Sequence, residues 1–378
     1  MRLPKHEPRW VPPRFVVRTV LGARRLLQRG VDRSVPPEVV LFEQAAGLTK
    51  TFVLLALVEL NVAPHLVSQP LRADELAPRV GADVDALHRL LRAAAVFDIV
   101  ELERDGRFRS TPLLARLDPQ HQQTMVHWVR YFASPANIGA WAALPAAIRT
   151  GDSAFRRVHG TDVWSWFATH PSERQDFAAA LGVLTGAVAP ALLAAYPFPD
   201  EGVVCDIGGG VGALLAHVMS ERPQLRGVLV DRAEVLADAE RWLASVGMRD
   251  RIELVAADAF EHVPCGYDVY VLKNMLHAWD DARCLRLLES VYRAMSECGR
   301  LLVIETLQQP YRADPYASLS DLQMLVAADR GRERSLNELT ALFRKARLEV
   351  ARVVETSIGF AVIEVKTARD VRSPASPR

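Results

Sequence analysis

The residues best placed to do chemistry begin with the run Asp206-Ile-Gly-Gly-Gly-Val-Gly212, set between the apolar stretch 203–205 and the apolar run that starts at Ala213. Without a Cβ, Gly208 and Gly210 permit a tight turn and let a ligand approach the backbone at a helix N-terminus. A nucleotide-like cofactor is the first expectation. Gly208, Gly210 and Ala213, with Asp231 about 20 residues on, also satisfy the loose dinucleotide fingerprint. A turn that merely packs helix on strand would read the same way. Three more candidates follow: Asp231 closes the stretch 227–231, Asp258 closes 252–258 and Lys273 closes 267–273. Asp231 can accept from both hydroxyls of a ribose. Asp258 can take an N–H of a base, and Phe260 offers that base a flat face.

What must position these groups is an alternation of strand and helix. Strands are expected at 203–207, 227–231, 252–258, 267–273 and 301–305, with a closing pair at 350–356 and 360–365. This pattern predicts an α/β fold with a mainly parallel, Rossmann-like sheet covered by helices. The glycine turn, Asp231, Asp258 and Lys273 all fall at the carboxyl ends of successive strands, where open α/β sheets bind ligands. Asp280 reads as the N-cap of a helix over 281–295, Gly299 as its stop. A helical insertion is expected at 319–328 and a further helix at 336–346.

At 378 residues the chain exceeds one ordinary domain. Residues 1–35 read as a basic arm: six arginines and no acid lie between Pro8 and Val31, and 14–29 is amphipathic as a helix. Such a helix suits an anionic lipid surface, which would make the protein peripheral to a membrane, or its own protein. Residues 36–118 read as short helices followed by a hairpin at Asp105-Gly106, a winged-helix-like arrangement. Acids interleave with its arginines (Asp83, Asp85, Glu101, Glu103, Asp105), which argues against nucleic acid as a partner. Residues 119–200 read as helical and aromatic, a region able to line an apolar pocket. Residues 201–366 form the sheet domain, and 367–378 a frayed tail. The net charge of +1 gives no bulk attraction to nucleic acid. Four cysteines without Cys-x-x-Cys spacing point to a reducing, cytoplasmic compartment, and the histidines show no zinc spacing, so no metal is expected. No uninterrupted apolar run spans a bilayer, and no signal-peptide pattern is present.

Five motifs in order carry a family resemblance: the glycine run from Asp206, Val230-Asp-Arg, Ala257-Asp-Ala-Phe, Leu272-Lys-Asn-Met-Leu-His-Ala-Trp-Asp-Asp and Gly331-Arg-Glu-Arg-Ser. Together they resemble class I S-adenosylmethionine-dependent O-methyltransferases. The branch is the one containing plant caffeate and flavonoid enzymes and bacterial polyketide and carotenoid enzymes. The resemblance covers roughly residues 38–366 and implies that the amino-terminal all-α, winged-helix-like part is a dimerisation domain, hence a homodimer. It implies S-adenosyl-L-methionine as cofactor, held by Asp206, Gly208, Gly210, Asp231, Asp258, Phe260 and Lys273. It makes His277 the general base, with Glu305 and Glu333 orienting it, and it places Met324 and Leu181 against a small hydroxylated acceptor. Two positions depart from the family: an aspartate usually follows the histidine, where this chain has Ala278, and a methionine clamping aromatic acceptors in plant members is replaced by Leu181.

The implied chemistry is coherent. Methyl transfer from a sulfonium needs in-line placement, and orientation can supply about 7–11 kcal/mol of barrier reduction. An acceptor hydroxyl must also lose its proton, and a positioned imidazole typically contributes about 10²–10⁴-fold. Three other readings stand beside this one: a cofactor-binding relative that does not methylate, a winged-helix regulator with a ligand-binding domain, and a nicotinamide oxidoreductase.

Overall fold

The structure, a computed structural model, describes residues 11–311 and 314–368. The beginning of the arm (1–10) and most of the expected tail (369–378) thus lie outside the described residues. The chain divides into two units. One holds 19–139 and 170–183; the other holds 140–169, 184–368 and the described start of the arm up to Arg18.

In the helical unit, short helices at Gly47–Glu59, Val62–Ser68, Ala73–Val80 and Val84–Val96 precede a hairpin of β1 (Val100–Leu102) and β2 (Phe108–Ser110). The two strands pair antiparallel, Val100 opposite Ser110, and Gly106 takes the positive φ of 86° that the turn requires. Leu57, Leu66, Leu76, Leu87, Leu91 and Phe108 form the core of this unit. The arm does form a helix, Arg14–Asp32, but none of its side chains is buried, and the same holds for Pro37–Ala45. Leu41, Phe42, Leu48 and Phe52 stand exposed beside it in sequence. Length and composition amend one expectation: the helical stretches 37–59 and 171–195 are long and apolar enough to cross a bilayer, a test that core helices of soluble proteins also pass.

The sheet unit is built on seven strands: β3 (Glu201–Ile207), β4 (Gln224–Asp231), β5 (Ile252–Ala256), β6 (Val269–Lys273), β7 (Arg300–Thr306), β8 (Leu348–Glu355) and β9 (Phe360–Thr367). Their order is β5-β4-β3-β6-β7-β9-β8. The first five run parallel, and the closing hairpin enters antiparallel, β9 between β7 and β8. Both faces are covered, which is why the strands read as continuous apolar runs. Cys205, Ile207, Tyr270, Leu272, Leu301 and Val303 face helices Asp281–Ala294 and Leu336–Lys345. Val204, Leu229, Val269, Val271, Leu302 and Ile304 belong to the opposite core, with helices Ala213–Glu221 and Ala233–Ser245.

Boundaries differ from expectation where caps decide them. The insertion helix runs Pro315–Ala327, starting earlier than 319, because the Asp314 carboxylate accepts the N–H groups of Tyr316 and Ala317 and Pro315 fits the first turn. β5 ends at Ala256, so Asp258 lies beyond the strand, where its carboxylate accepts the Phe260 N–H at 2.9 Å. Asp280 caps Asp281–Ala294 as its sequence position predicts, accepting the Arg283 N–H at 2.8 Å.

Candidate active site

The loop after β3 turns through positive φ at Gly208 (68°), Gly210 (61°) and Gly212 (78°) before helix Ala213–Glu221. These angles suit glycine and little else. At the end of β4 the Asp231 carboxylate accepts the N–H groups of Gly210 (3.0 Å) and Arg232 (2.8 Å), tying the acid to the glycine turn. Lone pairs remain on it for a ligand's hydroxyls. Asp206 is buried, and its Oδ1 is an acceptor with no hydrogen-bond partner. Burial pushes Asp206 up to about 7, with the Lys273 charge opposing, and pushes Asp231 up to about 6, with the Arg232 and Gly210 N–H groups opposing. Phe260 meets Trp279 edge-on at 5.0 Å, and Trp164 lies 5.8 Å from Trp279, so a cluster of aromatic rings stands close in sequence to Asp258. Two acids with spare acceptors, a glycine cradle and an aromatic cluster fit a ribose, a base and an ammonium-bearing tail.

The second half of the site is a histidine held between two acids. His277 lies in the single 3-10 turn Leu276–Ala278 that follows β6. Its Nδ1 is 2.8 Å from Glu333 Oε1 and 3.7 Å from Glu305 Oε2. Carboxylates are buried on both flanks, Glu305 2% and Glu333 4% exposed. Because an ionised carboxylate only accepts, Nδ1 carries the proton in the neutral ring and Nε2 presents its lone pair. Both ion pairs of the ring run through Nδ1. Burial alone would hold the imidazole neutral, but Glu305 and then Glu333 outweigh it and raise its pKa above the ordinary histidine value. Burial in turn pushes Glu305 up to about 7, with the histidine's charge opposing. Ligand atoms of the three residues lie within 4.8 Å of one another, close enough to collect a cation, although the Glu333 bond already takes the ring nitrogen such an ion would use.

The other residues singled out in the sequence fall as follows. Lys273, at the end of β6, donates to Thr185 Oγ1 at 3.2 Å and lies over the Phe360 ring; burial lowers its pKa to about 8, against the pull of Asp206 and Glu305. Met324 sits on helix Pro315–Ala327, one turn from Ser320, whose hydroxyl donates to Glu333 Oε1 at 2.6 Å. Leu181 belongs to the helical unit, on helix Pro171–Ala195. Ala278 is buried where the family's acid would stand. Sequence reasoning passed over Thr185, Ser320 and Asp321, whose carboxylate accepts the Glu333 N–H at 2.8 Å, and it included Arg334 in the fifth motif without giving it a role. Ser320 was within reach of such reasoning, since residues four apart share a helix face with Met324.

Comparison with known proteins finds similarity along most of the chain. A model of the O-methyltransferase domain matches residues 141–348, and one of the O-methyltransferase dimerisation domain matches 42–117. Phenazine O-methyltransferase of Lysobacter antibioticus is 33% identical, over 88% of this chain and 97% of that protein. A mitomycin biosynthesis 6-O-methyltransferase of Streptomyces lavendulae is 36% identical, over 85% of this chain and 92% of its own length. An 8-amino-8-demethylriboflavin N,N-dimethyltransferase of Streptomyces davaonensis is 31% identical over 86% and 94%. Human N-acetylserotonin methyltransferase, solved with S-adenosylmethionine bound, superposes with a TM-score of 0.81 at 25% identity, covering 89% of this chain and 99% of that one.

Proposed function

The chain belongs to the S-adenosylmethionine-dependent O-methyltransferase family, and within it we propose that it methylates a hydroxyl of an apolar, aromatic or polyketide-like small molecule, with His277 as general base. The observation that carries the base assignment is the pairing of His277 Nδ1 with Glu333 at 2.8 Å and Glu305 at 3.7 Å. It fixes the tautomer that leaves Nε2 free to take the acceptor's proton, and it stabilises the imidazolium that results. Asp231 holds the ribose of the cofactor, Asp258 and Phe260 meet its adenine, and Asp206, Gly208 and Gly210 receive its amino-acid end. Bound S-adenosylmethionine supplies an electrophilic methyl on a sulfonium. The protein's share is to align the acceptor oxygen with that methyl and to remove one proton.

Residues 42–117 match the dimerisation domain, which supports a homodimer. The exposed Leu41, Phe42, Leu48 and Phe52 are the kind of surface a second copy would cover. An acceptor nitrogen is the second reading, favoured by the dimethyltransferase relative, and a neutral amine needs no base to attack.

The test is incubation with isotopically labelled S-adenosylmethionine and a panel of phenols, hydroxylated polyketides and aromatic amines, beside His277→Ala. Label transfer to a hydroxyl that falls by about 10²–10⁴ in the variant, with S-adenosylhomocysteine affinity kept, supports the base. Equal transfer by both proteins removes it.

A further inference from the structure

We infer that Arg334 and Asp281 form a positioning clamp that sets the backbone of His277 against Glu333. Arg334 is 2% exposed, and four of its five hydrogen bonds go to one short segment, the fifth running from Nη1 to the Arg332 carbonyl at 3.4 Å. Its Nη1 donates to the Leu276 carbonyl at 2.7 Å and its Nη2 to the Trp279 carbonyl at 2.8 Å. Its Nε and Nη2 reach Asp281 Oδ1 at 3.0 and 2.7 Å. Those acceptors bracket His277: one precedes it directly, two follow it. From the other side, Glu305 Oε1 accepts the Leu276 N–H at 2.8 Å, so both halves of that residue's peptide hydrogen bonding are taken.

The arrangement gains its meaning from adjacency in the chain. Glu333 bonds the imidazole ring, and the next residue bonds the backbone that carries the ring. A single dipeptide therefore fixes the distance between the imidazole and its carboxylate. Gly331 lets that dipeptide come close, because a Cβ there would lie 2.7 Å from the His277 carbonyl oxygen and 3.0 Å from the Ala278 carbonyl carbon. A lysine cannot copy the fork, since its ammonium is a single point donor on a flexible stem. Asp281 supplies the counter-charge, and Arg334 with Arg332 holds its carboxyl below the ordinary range against the opposing effect of burial. Arg334 touches neither reacting atom, so its role is to place the base. A displacement on the order of 1 Å at such a distance can cost about 10²-fold in rate.

This inference rests on His277 being the base, but its test does not. The ring of His277 is titrated by NMR in the intact protein and in Asp281→Asn and Arg334→Lys, with S-adenosylhomocysteine affinity and thermal unfolding followed alongside. The groups facing that ring are Glu305 from β7, Glu333 from the loop before helix Leu336–Lys345, and Lys273 from β6. Loosening the clamp lets the ring leave Glu333. The His277 midpoint then moves down toward the ordinary histidine value, by on the order of half a unit, or about threefold in the protonation equilibrium. Cofactor-product affinity stays within about twofold. Asp281→Asn is the milder variant, because its side chain is 54% exposed and an acceptor oxygen is retained. An unmoved midpoint in folded Asp281→Asn overturns the clamp. Failure of the base assignment would show separately, as undiminished methyl transfer by His277→Ala.

Discussion

The hydroxyl of Ser320 donates to Glu333 Oε1 at 2.6 Å, the same oxygen that receives Nδ1–H of His277. One carboxylate oxygen therefore serves two donors, and its remaining oxygen, Oε2, has no partner. Removing the hydroxyl leaves the charge to the imidazole alone. Ser320→Ala should then raise the His277 pKa further and move the acid limb of the pH–kcat/KM profile to higher pH. At pH 6.5 the variant loses several-fold in activity, and at pH 9 it recovers most of it. A uniform loss across pH would instead assign Ser320 to acceptor binding.

Glu305 makes an opposite-signed case on the same ring. It is the first of the two acids to raise the His277 pKa, so Glu305→Gln should move the acid limb to lower pH. Stability carries a second readout. Its own pKa is raised by burial to about 7, so the stability it contributes is complete below the unfolded value of 4.5 and is lost as pH rises through about 7. Ionised Glu305 at pH 8 thus costs on the order of 1–3 kcal/mol, after allowance for its attraction to His277. Glu305→Gln, which keeps an acceptor for the Leu276 N–H, should be as stable as the parent or more so at pH 8, and lose that advantage by pH 5. Urea denaturation at the two pH values decides it.

Cofactor affinity should fall as the strand-end acids protonate. Asp206 and Asp231 are both pushed up by burial, to about 7 and about 6. In the proposed roles, both must be ionised to receive an ammonium group and ribose hydroxyls. Affinity for S-adenosylhomocysteine, measured by calorimetry, should be full above pH 8 and drop between pH 7 and 5.5. Asp206→Asn should flatten the upper part of that curve. Asp231→Ala should weaken binding about 10- to 150-fold at pH 8, the value of charged hydrogen bonds worth about 1.5–3 kcal/mol. A flat profile in the intact protein would remove both acids from the cofactor's contacts.

Much of this architecture was legible from the chain. Strands buried on both faces gave continuous apolar runs, and Asp280 marked the N-cap of the helix between β6 and β7, whereas that helix ends at Ala294 with Met295 as its C-cap, short of the expected stop at Gly299. The order of motifs placed His277 and both acids, which the fold brings together from β6, β7 and a loop. The residues that brace them were not legible. Thr185 meets Lys273 from 88 residues away, and Arg334 grips Leu276 from 58 away. A lone polar residue in a helix or loop carries no periodicity, and only tertiary contact reveals its partner. The aromatic stretch 119–200 is mainly helical as expected, but it divides into short helices, two of them starting at Pro135 and one residue before Pro145, ahead of the 25-residue helix that starts at Pro171. Its rings separate accordingly: Trp141 Nε1 donates to Gln323 Oε1 at 3.0 Å, while Phe155 is buried.

Gly331 offers the sharpest steric test of how His277, the proposed base, is held. Its own φ is ordinary, so alanine carries no backbone penalty there, and any effect must come from the space around it. The added Cβ would lie 2.7 Å from the His277 carbonyl oxygen, 2.8 Å from Ala328 Cβ and 3.0 Å from the Ala278 carbonyl carbon. Two of the three neighbours are backbone, which cannot rotate aside, so either the loop 331–334 or the turn 276–278 has to shift by several tenths of an ångström. Either shift lengthens the bond between Glu333 and His277. Gly331→Ala should therefore lower kcat about 10- to 100-fold. The Asp231 and glycine-loop contacts lie at other strand ends, so S-adenosylhomocysteine affinity should change less than about threefold. A Gly331→Ala protein with parental kcat would mean that the turn carrying His277 yields freely, and that its hydrogen bonds to Glu305 and Arg334 do not fix the base.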